Sequence, residues 1–123
     1  MCMVCDGKGN VLVQNKKGDR TWHGWNFPGG HVEQDEFVTP SVVREIREET
    51  GLTIENPKLC GIKEFHKEQD GKRFIVFLYV ASRFSGELRA SDEGRRFLVS
   101  AFGTETIEGA GRWIFGDAAC FHV

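Results

Sequence analysis

The chain has no excess of basic charge. Its 16 Lys and Arg stand against 18 Asp and Glu, a formal net charge of −2. General nucleic-acid binders are usually basic, so that class is set aside. No signal segment and no membrane-spanning apolar run is present, which leaves a reducing cytoplasm as the expected location and no membrane partner. Cysteine is scarce: Cys2, Cys5, Cys60 and Cys120 provide one CxxC, with no second pair to complete a zinc or redox site. Cys2 and Cys5 therefore read as residues of a partly buried first strand. Regularity is lacking at the far end. Residues 94–123 hold five glycines (94, 103, 109, 111 and 116) and no clean helical period. At 123 residues the chain is long enough for one domain with a modest core.

What is abundant is acid, in one place. Between Glu33 and Glu55 lie seven acids (33, 35, 36, 45, 48, 49, 55) and two bases (44, 47). A bare polyphosphate would be repelled there and must arrive with metal. Within this region Thr39 is placed to cap a helix over 40–50 whose first residue, Pro40, needs no N–H partner. Gly51 supplies the left-handed residue that ends it. Glu45, Glu48 and Glu49 are spaced i, i+3, i+4 and share one face. Val42, Val43 and Ile46 point to another, which packs on a core. Crowded carboxylates repel each other unless a hard dication, Mg2+ or Mn2+, lies among them. Taken alone, such a face also describes a solvated helix whose acids pair with Arg44 and Arg47.

In chain order, Met1 to Gln14 reads as a hairpin: Met3–Cys5, a turn over 6–10, then Val11–Gln14. A polar loop over 15–20 leads to an aromatic-rich strand, Thr21 to Phe27. Pro28-Gly29-Gly30 is a sharp turn that lets backbone approach a ligand. His31–Glu33 reads as a brief strand, and a further strand is expected around Leu59–Ile62. Lys63–Lys72 reads as a hairpin loop. Phe74–Ala81, FIVFLYVA, is apolar on both faces and is expected at the centre of the sheet. Strands with a single strong helix indicate an α+β domain.

The stretch GHVEQDEFVTPSVVREIREETGL, Gly30 to Leu52, fills every fixed position of G-x5-E-x7-R-E-U-x-E-E-x-G-U, where U is a bulky aliphatic. Gly30, Glu36, Arg44, Glu45, Ile46, Glu48, Glu49, Gly51 and Leu52 occupy those positions. The chain thus resembles a Nudix hydrolase of the MutT-like, 8-oxo-dGTP diphosphatase type. The resemblance implies an α/β/α sandwich around a mixed sheet, and Mg2+- or Mn2+-dependent hydrolysis of a nucleoside triphosphate to monophosphate and pyrophosphate. It implies that Glu45, Glu48 and Glu49 bind the cation, with the Gly30 carbonyl as a further ligand. Glu45 is also the usual candidate to orient or deprotonate water. Arg44 would lock a carboxylate by a bidentate pair. Glu36 would brace the loop or ligate a further metal. Glu93, in Ser91-Asp92-Glu93-Gly94, is a candidate distant carboxylate, although turn chemistry also explains acids there.

Substrate contacts are assigned to Asn26, an amide able to read a purine edge, to Trp25 and Phe27 (with Trp22) as stacking surfaces, and to His31 beside the phosphates. Aromatic residues in a strand also serve as core, and His23 and His31 also fit structural or exposed roles. The motif holds the diphosphate and not the leaving group. Nucleotide sugars, dinucleoside polyphosphates and RNA caps therefore stay open as substrates, as does a non-catalytic ligand sensor. Homodimers are common among relatives. Relatives also begin several residues earlier, and they close with an aromatic strand and a leucine-rich helix. The irregular tail is therefore expected to reflect a frameshift near Gly94, with a damaged product as a further reading. A one-base shift lets RRFL read as DVFW.

Overall fold

The structure is a computed structural model that describes residues 1–8, 10–16, 24–68, 70–89 and 96–101. Strands β1 (Cys2–Val4), β2 (Asn10–Lys16) and β3 (Gly24–Asn26) precede helix α1 (Val38–Thr50). Then follow β4 (Leu52–Glu55), β5 (Lys58–His66), β6 (Arg73–Ala81), β7 (Arg83–Gly86) and β8 (Arg96–Ala101). The strands form three sheets, ordered β1-β6-β5, β3-β2-β8 and β4-β7. The first is mixed, with β1 parallel and β5 antiparallel to β6.

Alternation along the strands sorts two cores. Cys2 and Val4 of β1 and Leu12 of β2 join Val42 and Ile46 of α1, Leu52, Ile54, Tyr79 and Ala81 in one cluster. Met3, Val11, Val13 and Phe27 form the other. Successive strand side chains point to opposite faces, so β1 and β2 serve both clusters. Ile46 is fully buried, and Val42 nearly so. They are the apolar face expected of the helix, and they leave its acids turned toward the loop before it.

Several expectations are corrected. The first two strands are not a hairpin ladder. β1 pairs with β6 in the register Cys2↔Tyr79 to Val4↔Ala81, and among the described residues its bridge toward β2 is Cys5↔Val11. Alternation cannot reveal a strand's partner, and the apolar β6 offered a longer one. The turn after β1 stands, because Asp6 accepts the N–H groups of Lys8 and Asn10. Helix α1 starts at Val38 with Phe37 at its cap and no side-chain capping bond. Thr39 Oγ1 instead meets the Tyr79 hydroxyl at 2.8 Å, tying the first turn to β6. His31–Glu33 is not a strand. β5 continues to His66, so the connecting loop is shorter than expected, and Phe65 stacks on Phe74 across the pair. β6 is central, as its composition indicated. The tail is not wholly irregular: β8 pairs antiparallel with β2 from Asn10↔Ala101 to Asn15↔Arg96. Glu93, Trp22, His23, Cys120 and the segment 102–123 lie outside the described residues.

Gly51 ends the helix at φ 80°, its N–H donating to the Arg47 carbonyl, and a Cβ there would stand 2.5 Å from the Glu87 carbonyl oxygen. Gly51→Ala is expected to cost about 1–3 kcal/mol, read from the shift in a urea unfolding midpoint. Burial pushes the Cys2 thiol up to about 12. Native protein at pH 8 should therefore leave Cys2 unalkylated by iodoacetamide, and urea should expose it. Mass spectrometry of the labelled protein checks this.

Candidate active site

The helix and the loop before it are tied by one guanidinium. Arg44 Nε and Nη2 donate to Glu36 Oε1 and Oε2 at 2.7 and 2.9 Å, a bidentate pair. Nη2 also donates to the His31 carbonyl at 3.0 Å. Nη1 donates to Glu45 Oε1 at 2.8 Å and to Glu48 Oε2 at 3.0 Å. Glu36 in turn accepts the Glu33 N–H, which closes the loop on itself. The hydrogen bonds from Arg44 hold the Glu36 carboxyl down at about 2, and the ring of carboxylates raises the guanidinium above its ordinary value.

Glu49 faces inward. Its Oε2 accepts from Gln14 Nε2 and from the Gly29 N–H, each at 2.9 Å. Glu45 packs against the neighbouring glycine, and its carboxylate occupies the space a Gly30 Cβ would take. Only glycine lets the backbone and the carboxylate come this close. The Pro28-Gly29-Gly30 segment, which carries no assigned turn or bend, is held from the other side, where the Cys2 N–H donates to the Pro28 carbonyl at 2.9 Å.

Above these groups lies a cleft of about 630 Å³, within the range of small-molecule sites. Asn26, Phe27, Gly30, His31, Glu45 and Glu49 line it, along with Phe74 to Phe77 of β6. Of the residues assigned from sequence, Asn26 is buried, while His31 is exposed and bonded through its carbonyl. Phe27 is 3 % exposed and belongs to the second core, so its ring packs as well as lines the cleft. Glu48 stays on the exposed side of the helix. For Trp25 the structure describes only the backbone.

Among the described residues no three His, Cys, Asp or Glu side chains converge as a preformed metal centre. Arg44 Nη1 stands between Glu45 and Glu48 instead. The donors still fit a hard dication: they are carboxylate oxygens, and Glu45 and Glu49 meet the same two-glycine segment one helical turn apart. Two residues were missed from sequence, Tyr79 and Gln14. The signal for Gln14 was present in β2, where a polar side chain follows Leu12 at the helix-facing spacing.

Comparison with known proteins identifies the class. The NUDIX domain family matches residues 1–112, and the chain belongs to that family. It is 40 % identical over 89 residues to the uncharacterized Nudix hydrolase YvcI of Bacillus subtilis, covering 69 % of this chain and 54 % of the relative. It is 33 % identical over 89 residues to an ADP-ribose pyrophosphatase of Methanocaldococcus jannaschii (72 % and 53 % covered). An oxidized purine nucleoside triphosphate hydrolase of Danio rerio is 32 % identical over 87 residues (71 % and 56 % covered). The chain thus spans about half the length of these curated relatives. Among solved structures, the MutT NUDIX hydrolase of Burkholderia pseudomallei superposes with a TM-score of 0.69 at 29 % identity, with 82 % of this chain and 79 % of that one covered. Nudix hydrolases generally use divalent metal cations.

The Glu36–Arg44 pair has a pH signature. The carboxyl is depressed from 4.5 to about 2, so its contribution to stability is complete above 4.5 and is lost as pH falls toward 2. The Glu36 carboxyl 13C resonance should titrate near the lower value, and Arg44→Ala should return it to the ordinary range or above. An unchanged resonance in the variant would show the pair to be absent in solution.

Proposed function

We propose that this domain is a dication-dependent pyrophosphohydrolase that splits a nucleoside triphosphate into monophosphate and pyrophosphate. The observation that carries the reading is the placement of Glu45 and Glu49 against the Gly29–Gly30 segment in the cleft wall. Glu45, Glu48 and Glu49, with the Gly30 carbonyl, would hold Mg2+ or Mn2+. When bound, the cation neutralises phosphate charge in a site that is otherwise acidic. Glu45 orients the attacking water and takes its proton. Arg44 keeps the loop and helix in register, and its bonds to Glu36 and His31 hold the segment where the polyphosphate would lie. Asn26, which lines the cleft, is the amide proposed to read a base edge. Phe74 and Phe77 give that base an apolar wall.

An oxidised purine such as 8-oxo-dGTP is the first substrate reading, supported by similarity to the Danio rerio hydrolase. A nucleoside diphosphate joined to a sugar is the second reading, supported by similarity to the ADP-ribose pyrophosphatase. The intact set of motif carboxylates favours turnover over a ligand sensor. We read the chain as one domain working in a reducing cytoplasm, where the Cys2 and Cys5 thiols are stable.

Pyrophosphate release from a panel of nucleoside triphosphates that includes 8-oxo-dGTP, with ADP-ribose assayed beside it, tests the reading. Mg2+ should support release and EDTA should abolish it. Glu45→Gln and Glu48→Gln should each lower kcat by about 100-fold or more. Turnover of ADP-ribose alone would transfer the assignment to the second reading.

A further inference from the structure

We propose that Gln14 is a positioning residue that holds the Glu49 carboxylate in its cation-binding orientation; this rests on reading the site as a dication-dependent hydrolase. Gln14 is fully buried in the middle of β2, on the face that Leu12 turns toward the helix. It is paired across the ladder with Asn26, which lines the cleft. Its Nε2 donates to Glu49 Oε2, and the Gly29 N–H donates to the same oxygen. Two donors from different elements fix both the position and the rotation of the carboxylate, a group otherwise rich in rotamers.

The chemistry of the residue is specific. Gln14 Oε1 is buried with no hydrogen-bond partner among the described residues. A leucine or methionine would fill the same space without stranding an acceptor, so packing alone does not explain an amide here. What the amide adds is a neutral donor. It directs Glu49 without itself bringing a positive charge to the carboxylate.

The test uses the full chain with Mn2+ as the probe. Gln14→Met keeps length and burial and removes the donor. Its Mn2+ dissociation constant, measured by electron paramagnetic resonance, should rise about 10- to 100-fold, and kcat should fall in proportion while KM for the nucleotide hardly moves. Wild-type Mn2+ affinity and kcat in Gln14→Met would overturn the proposal. A second measurement does not depend on how that variant folds. The Gln14 side-chain amide resonance of the unmodified protein should shift when Mg2+ is added, and Glu49→Gln should abolish the shift. A silent amide would overturn the proposal as well. Weaker Mn2+ binding in Gln14→Met, with no nucleotide hydrolysed by the unmodified protein, would support the positioning role and overturn the hydrolase reading alone.

Discussion

The Arg44 guanidinium is the interaction on which the site depends. It spends its hydrogen bonds on three carboxylates and one backbone carbonyl, drawn from both the helix and the loop. Without it Glu36, Glu45 and Glu48 would repel each other at close range, and the loop from His31 to Phe37 would lose its anchor to the helix. The planar fork makes the bidentate pair with Glu36 directional, which a lysine would not. Partial charge compensation and geometry are thus supplied by the same side chain.

The acidic face would still have no fixed place without the apolar face behind it. Val42 and Ile46 seat the helix on Cys2, Val4, Leu12 and Tyr79, and the Thr39–Tyr79 contact fixes its first turn. Gly51 stops the helix so that β4 can begin at once. From the opposite side, β1 bonds to the Pro28 carbonyl and to β6, which holds the glycine segment against Glu45 and Glu49. Two polar seats result. One, around Arg44, is half-exposed and joins one guanidinium to three carboxylates. The other, around Glu49, is buried and includes the neutral donors Gln14 Nε2 and Gly29 N–H.

Much of this was legible in the chain because it is local. The i, i+3, i+4 spacing of Glu45, Glu48 and Glu49, the apolar face of Val42 and Ile46, and the Gly51 stop all lie within a few residues of one another, where helix geometry alone decides who shares a face. The Glu36–Arg44 pair was anticipated only in kind, since seven residues of loop and helix separate the two. The helix start was misplaced. Thr39 and Pro40 carry the chemistry of a cap and a first turn, but Tyr79 claims the Thr39 hydroxyl. The first hairpin failed for a similar reason. Short alternating strands on either side of a turn look like partners, and β1 found more apolar surface beside β6.

By itself the sequence determined the acidic helix, its stop and the central apolar strand. Each of these follows from backbone preference or periodicity over a few residues. Only the tertiary structure decided that β1 runs parallel to β6, that Glu49 is seated by Gln14 and Gly29, and that the Glu45 carboxylate lies where a Gly30 side chain would be. Those choices join residues about 15 to 77 positions apart. They are settled by which buried polar groups can satisfy one another once the sheets have closed, a condition that no local pattern encodes.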